Sequence, residues 1–276
     1  MTRVADWLAR ARALGLSRLD AQLLLVHHLQ RPRAWLIAHD DAAVPEHLLA
    51  PLTSDLARRA DGVPLAQLTG WREFHGLRLR VTSDVLDPRP ATETLVEWAL
   101  ERLRACGAES APPRVIDLGT GSGAIALAVK QAWPSAQVAA CDVSSAALAV
   151  ARDNAARLRL EVDSFESNWW SAVSGPPCDL ALSNPPYIAG DDPHLHALRH
   201  EPRLALTPEG DGLDALRAVI KGACPHLKPG AWLLLEHGHD QAAAVCTLLR
   251  AAGFKDVESR RDLGGNWRCS GGRWAA

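Results

Sequence analysis

The stretch from Arg114 to Asp142 most constrains what this chain can fold into. Val115-Ile-Asp-Leu118 is a short apolar run closed by Gly119-Thr-Gly-Ser-Gly123. Ala124 to Trp133 then follows helical periodicity, and a second apolar run, Gln137 to Asp142, comes after it. A strand that turns through glycines into a helix returns to lay its next strand beside the first, in parallel. The alternation continues with a helix from Ser144 to Leu158, a weaker strand near Val162, and a strand from Asp179 to Ser183. A helix from Asp214 to His226, a strand from Ala231 to Glu236 and a helix from Gln241 to Ala252 come next. Two strands, Phe254 to Glu258 and Trp267 to Arg273, end the chain. This order predicts a mainly parallel sheet with helices on both faces. No internal repeat or low-complexity segment interrupts it.

The glycine turn falls where open α/β sheets bind ligands. Glycines let a ligand approach the backbone closely, and the following helix offers free N–H groups. Asp142 ends the second strand 19 residues after Gly123, and its carboxylate suits two ribose hydroxyls. The spacing is G-x-G-x-G, which favours S-adenosylmethionine over a dinucleotide. The loop Gly119, Thr120, Gly121, Ser122 and Gly123 is therefore the expected cofactor cradle. Asn168-Trp169-Trp170 follows the third strand and places Trp169 to cover an adenine ring, with Asn168 at its polar edge. Two core tryptophans are the competing reading.

Asn184-Pro185-Pro186-Tyr187 ends the Asp179–Ser183 run. Two prolines cannot donate to a ladder and hold φ in a narrow range, so they stop the strand and stiffen an elbow at its carboxyl end. Tyr187 is the only tyrosine in 276 residues. An amide or ring NH2 is a poor nucleophile, and a site that methylates it must grip both N–H bonds. The Asn184 side-chain carbonyl and the Pro185 backbone carbonyl offer two fixed acceptors, with Tyr187 packing against the planar group. A turn-forming Asn in a Pro-Pro loop is the plain alternative.

Residues 1–60 read as helices. Val4, Trp7, Leu8, Ala11 and Leu14 mark one apolar face, and Gly15 stops that helix. Ser17 caps the next, which places Leu19, Leu23, Val26 and His27 on one side. Pro32 breaks it, Trp35-Leu36-Ile37 begins a short third piece, and Pro45 opens a fourth through Leu48, Leu49, Leu52 and Leu56. Phe74-His75-Gly76 and the alternating Leu77 to Val81 read as a β-hairpin, closed by Asp87-Pro88-Arg89-Pro90 before a helix from Thr92. The expected division is a helical domain over 1–62, a connecting hairpin over 63–86 and an α/β domain over 87–276.

Charge and cysteine content exclude several classes. The net charge is −2, and residues 1–80 carry a surplus of only three cations, too few to make a nucleic-acid face. Six scattered cysteines (Cys106, Cys141, Cys178, Cys224, Cys246 and Cys269) form no C-x-x-C pair, which reads as reduced, cytoplasmic usage. No apolar run is long enough to span a bilayer. Glu236-His237-Gly238-His239-Asp240 resembles a metal cluster, but no further ligands are in evident register with it, and a strand-end loop is the preferred reading.

Taken together, these motifs resemble the release factor glutamine methyltransferase family. The resemblance covers nearly the whole chain from Pro64. It runs through Gly70 to Gly76 with Glu73-Phe74, Pro88-Arg89-Pro90 with Thr92-Glu93, the glycine loop and Asn184 to Ile188. It continues with Glu201-Pro202, Ala205-Leu206, Asp211-Gly212-Leu213, Leu227 to Gly230 and Arg261-Asp262-Leu263. It implies a class I adenosylmethionine-dependent methyltransferase fold: a seven-stranded, mainly parallel doubly wound sheet with an N-terminal helical bundle and a connecting β-hairpin. It also implies methyl transfer from S-adenosylmethionine to the glutamine N5 of the Gly-Gly-Gln motif in peptide chain release factors. Asn184, Pro185, Pro186 and Tyr187 would hold that amide. Gly119, Gly121, Gly123, Asp142 and Trp169 would bind the cofactor, and Arg89, Pro90 and Thr92 would wall its pocket. The helical domain and hairpin would contact the release factor. The expectation is a cytoplasmic monomer with no metal, no membrane contact and no stable nucleic-acid binding. Asp87, Ala91 and Asn168 depart from the family pattern, where an apolar residue, an acid and an aspartate are common. Two other readings compete: a nucleic-acid amino methyltransferase using the same box, and a silent adenosylmethionine-binding scaffold.

Overall fold

The computed structural model describes residues 2–105 and 112–275, and the chain divides into two units, residues 1–71 and 72–276. The first unit is helical: α1 (Val4–Ala13), α2 (Arg18–Leu29), α3 (Arg33–Ala38), α4 (Glu46–Ala60) and α5 (Leu65–Thr69). Ser17 Oγ caps α2 by accepting from Asp20 N at 3.0 Å. α1 buries Val4, Trp7 and Ala11, as its spacing predicts, whereas Leu14 lies past its end and is exposed.

The expected face of α2 is not the buried one. Ala21, Gln22, Leu24 and Leu25 point inward, while Leu19 is 48% exposed and Leu23, Val26 and His27 are only half-buried. Four consecutive apolar residues, Leu23 to Val26, wrap around the helix, so periodicity alone cannot select a side. Gln22 is held inside by Arg33 Nε, which donates to its Oε1 at 2.7 Å.

The second unit begins with the expected hairpin, β1 (Trp71–Phe74) and β2 (Leu77–Arg80). A 3-10 turn at Pro90–Thr92 leads into α6 (Glu93–Ala105). Next come β3 (Arg114–Leu118), α7 (Ala124–Ala132), β4 (Gln137–Asp142), α8 (Ser145–Leu158), β5 (Asp163–Glu166) and β6 (Cys178–Ser183). Two short helices, α9 (His194–Ala197) and α10 (Arg203–Leu206), were not foreseen. They precede α11 (Asp214–Gly222), β7 (Leu227–Glu236), α12 (Ala242–Ala251), β8 (Phe254–Arg261) and β9 (Trp267–Trp274). The helix expected to reach His226 ends at Gly222, because Pro225 forces a separate 3-10 turn over Cys224–His226. The strand expected from Ala231 starts earlier, at Leu227, and crosses a register shift between Leu227 and Trp232 that absorbs Pro229 and Gly230.

The seven strands lie in the order β5-β4-β3-β6-β7-β9-β8. β5 to β7 are parallel, and β9 runs antiparallel between β7 and β8. Alternate residues serve opposite faces, as a doubly wound sheet requires. Val115, Leu180, Leu182 and Leu234 join the core with Leu95, Trp98 and Leu127 of α6 and α7. Ile116, Leu118, Ala181 and Leu233 join the other core with Leu216, Val219, Val245 and Leu249 of α11 and α12. The chain leaves β3 for β4 on one side and returns to β6 on the other. The crevice between the carboxyl ends of β3 and β6 is therefore the topological switch point, where such sheets take ligands.

The five described cysteines are free thiols, and Cys106 lies outside the described residues. Among the described residues no helix is long and apolar enough to cross a membrane.

Candidate active site

The glycine loop leaves β3 at the switch point. Gly119 N and Thr120 N both donate to Cys141 O, at 2.8 and 2.9 Å, which locks the loop to the end of β4. The Thr120 hydroxyl turns inward and donates to Asp117 Oδ2 at 2.6 Å, and Ala126 N donates to the same oxygen at 3.3 Å. Asp117 is fully buried, and that burial raises its pKa to about 7. A Cβ on Gly119 would stand 3.2 Å from the Trp169 ring, so glycine lets the indole close over the loop. Gly123 has a different task. Its Cβ would meet Leu127 Cδ1 at 3.0 Å and Ala151 Cβ at 3.3 Å, so its lack of a side chain lets α7 pack on α8.

A cavity of about 290 Å³ opens over this loop. Gly119, Thr120, Gly121 and Ser122 line it, together with Asp142, Asn168, Trp169, Thr92, Asn184 and Pro186. Asp142 accepts Gly121 N on Oδ2 and Ser144 N on Oδ1, both at 2.9 Å, and each oxygen keeps a further lone pair. The two tryptophans separate. Trp169, with φ +52°, lines the cavity. Trp170 is buried, donates from Nε1 to Val219 O at 2.8 Å and stacks on His226 at 4.9 Å.

Not every expected wall residue reaches the cavity. Gly123, Arg89 and Pro90 do not line it. The Arg89 guanidinium instead donates to Glu201 Oε1 at 2.5 Å, and Pro90 starts the turn into α6. Glu201 also accepts Asp87 N at 3.1 Å. That clasp fixes the 87–92 segment against the Glu201-Pro202 loop, whose Pro202, Leu204 and Ala205 form part of the wall. The unusual acid Asp87 is accommodated because Arg72 and Arg89 lie 3.5 and 3.8 Å from its carboxylate.

At the elbow, Asn184 Nδ2 donates to Thr92 Oγ1 at 3.3 Å. Pro185 is buried and does not line the cavity, although Pro186 beside it does. Tyr187 does not line the cavity: its hydroxyl donates to Glu236 Oε1 at 3.3 Å, and Arg268 Nη1 donates to that hydroxyl at 3.5 Å. Gln241 Nε2 holds the Tyr187 carbonyl at 2.9 Å. Burial raises the Tyr187 pKa further above its ordinary range, so the phenol keeps its proton. Glu236, at the end of β7, is 1% exposed, and burial lifts its pKa to about 7 against the lowering effects of Thr92, Arg268, Tyr187 and Arg89. The neighbouring His237 ring sits between Gly238 O and Ser270 Oγ, each 2.7 Å away. Gly238 O can only accept, so His237 Nδ1 carries the proton and Nε2 accepts from Ser270.

Sequence reasoning missed two buried groups that brace the site. Asn154, on α8, accepts Arg80 N at 2.6 Å and donates to Arg80 O at 3.0 Å and Ser122 O at 2.9 Å, tying β2 to the glycine loop. Its signal was a polar residue on the apolar face of a helix. Glu236 was visible only as part of an apparent metal cluster, and among the described residues no group of three or more candidate metal ligands exists.

The "Methyltransferase small domain" family model matches residues 91–221, and the "PrmC N-terminal domain" model matches residues 4–70. A release factor glutamine methyltransferase of Bordetella pertussis is 51% identical over 99% of both chains. One from Burkholderia pseudomallei is 51% identical over 95% of this chain and 94% of that protein. A methyltransferase from Pyrococcus furiosus shares the fold with a TM-score of 0.56, at 19% identity, over 73% of this chain and 90% of that one. The seven-stranded sheet is thus the class I methyltransferase fold, and the chain belongs to the release factor glutamine methyltransferase family.

Proposed function

We propose that this protein transfers a methyl group from S-adenosylmethionine to the N5 amide nitrogen of the glutamine in the Gly-Gly-Gln motif of peptide chain release factors. The observation that carries the reading is Asn184 standing on the wall of the glycine-loop cavity with its Nδ2 engaged by Thr92. That bond leaves Oδ1 as the acceptor end for a substrate N–H, and the Pro185 carbonyl takes the second N–H.

The cavity suits this cofactor. None of its described lining residues is Lys or Arg, which fits a ligand without phosphates better than a dinucleotide. Asp142 is the group for the ribose hydroxyls, and Trp169 with Asn168 forms the adenine wall. Asp84 and Asp142 supply the negative charge that a sulfonium favours. S-adenosylmethionine supplies an electrophilic methyl group when bound.

The chain's own contribution is positional. Two acceptors fix the amide plane, and the neutral nitrogen needs no base before attack because its proton leaves afterwards. Effective molarity of this kind is worth several kcal/mol. Residues 1–62 and the hairpin over 63–86 serve to recognise the release factor away from the glutamine.

The test uses labelled S-adenosylmethionine with purified release factor, its Gly-Gly-Ala variant and duplex DNA in parallel. Label on the wild-type factor alone is expected. Label on DNA would turn the reading toward a nucleic-acid amino methyltransferase, and label on none would leave a cofactor-binding protein.

A further inference from the structure

We infer that the Ser167 hydroxyl is a positioning group of the cavity: it holds Trp169 in a left-handed backbone pose and so keeps the indole over the glycine loop as the adenine wall. The inference rests on the adenine-wall role of Trp169 proposed above. Trp169 has φ +52°, a region that suits glycine and is costly for a bulky L residue. Such a pose persists only where its surroundings impose it, and it gathers at ligand clamps. The indole is half-buried and lines the cavity, and its Cζ3 would lie 3.2 Å from a Cβ placed on Gly119. The strained residue is thus also the one whose ring closes over the glycine loop.

The hydrogen bonds of the 167–173 turn show what imposes the pose. Ser167 is 5% exposed, and its Oγ donates to Trp169 O at 2.7 Å and accepts Ala172 N at 3.0 Å. A hydroxyl has one proton to give, and here the Trp169 carbonyl takes it. Ser171 Oγ accepts Asn168 N at 3.2 Å and closes the turn from the other side. Cys141 Sγ adds only a weak donor to the Trp169 carbonyl, at 3.6 Å. Beyond that carbonyl, Trp170 is pinned in the core by its Nε1 bond to Val219 O at 2.8 Å. The peptide between the two tryptophans is therefore fixed at both ends, by Ser167 on its oxygen and by the core on its far residue.

The turn is also tied to the rest of the cavity. Ser167 N donates to Asp142 O at 3.0 Å, and the preceding carbonyl, Cys141 O, holds Gly119 N and Thr120 N. One strand end thereby sets the glycine loop and the Trp169 turn in a common frame. Removing the Ser167 hydroxyl leaves these backbone bonds in place and takes away the group on the Trp169 carbonyl. The backbone can then relax toward negative φ and swing the indole off Gly119. Only the fraction of molecules that keeps the indole in place binds at full strength.

Ser167 itself lines the cavity, so the experiment must separate action through Trp169 from direct contact. It measures calorimetric affinity for S-adenosylmethionine and for its demethylated product, S-adenosylhomocysteine, in the wild type, Ser167→Ala, Trp169→Ala and the double variant. Steady-state kinetics on release factor accompany it. Ser167→Ala is expected to weaken both ligands roughly ten-fold and to raise KM for the cofactor in step, with kcat at saturation falling less than about two-fold. Trp169→Ala is expected to weaken binding further, and the double variant to match it within about two-fold, because the hydroxyl acts through the indole. Trp169→Gly is expected to melt above Trp169→Ala, since glycine adopts this φ without cost. Unchanged affinity in Ser167→Ala overturns the inference. So does a loss that adds in full to that of Trp169→Ala, which would make the hydroxyl a direct ligand contact, and so does an alanine variant that melts above the glycine one. If Ser167→Ala does not fold, Ser167→Cys, close in shape but a poor donor, is read in its place. A wild type that binds neither ligand refutes the proposed function instead, so the two failures are distinguishable.

Discussion

The two sides of the cavity are held by different kinds of bond. On the glycine-loop side the partners are close in sequence and mostly backbone: Thr120 to Asp117, Ser144 to Asp142, and Gly119 and Thr120 to the end of the adjacent strand. On the elbow side they are side chains brought from afar. Asn184 reaches Thr92 across 92 residues, Tyr187 reaches Glu236 across 49, and Arg268 reaches Tyr187 across 81. The glycine-loop side is thus largely shaped by its own local chain, whereas the elbow side exists only once the sheet has assembled. Under the proposed function, cofactor binding and methyl transfer should accordingly separate under mutation.

The largest separation is expected at the elbow itself. Under the proposed function, Asn184→Ala should lower turnover about 1000-fold or more, because it removes one of the two acceptors proposed to orient the amide, while cofactor affinity by calorimetry changes little. Retained turnover would place the amide elsewhere. Asn154→Ala tests whether the local side is as independent as it looks. It leaves Arg80 and Ser122 backbone groups unpaired, and chemical denaturation should show a loss of about 2–4 kcal/mol. Stability close to that of the wild type would mean the loop stands without its brace.

Asp142→Ala should weaken S-adenosylmethionine binding by about 1–2 kcal/mol, roughly a charge-assisted hydrogen-bond pair, with kcat at saturating cofactor far less affected. Unchanged binding would move the ribose contact to another residue. Tyr187→Phe should have the smallest effect, a few-fold loss in kcat worth under about 1 kcal/mol, since the phenol does not line the cavity. A loss as large as that of Asn184→Ala would make the phenol a direct substrate contact.

The same contrast explains what was legible in the sequence. Strand β3, the glycine loop and α7 follow from short-range signals and were placed within a residue. The places of Asp142 and Asn184 on the cavity were legible because each ends an apolar run, and strand ends at a switch point are where ligands lie. The roles of Glu236, Glu201 and Asn154 were not, because each depends on a partner 49 to 112 residues away. Trp169 and Trp170 are chemically alike in sequence, and only the positive φ of Trp169 sends one to the cavity and the other to the core. The buried face of α2 was misread because its apolar residues surround the helix. The short α9 and α10 carry too few residues for any period to register.

The buried carboxylates carry a further consequence, for the pH dependence of folding. Asp117 and Glu236 both have folded-state pKa values near 7, above their unfolded values of 3.8 and 4.5. Between those limits the folded chain binds more protons than the unfolded one, so this contribution to stability shrinks as pH rises and is gone above about 7. His226 and His237, depressed by burial, push the other way only below about 6.5. Melting temperature should therefore decline as the pH rises from 6.5 through about 7 and level off above it. The two carboxylates thus make the fold tightest on the acid side of neutrality, where they keep their protons in the interior.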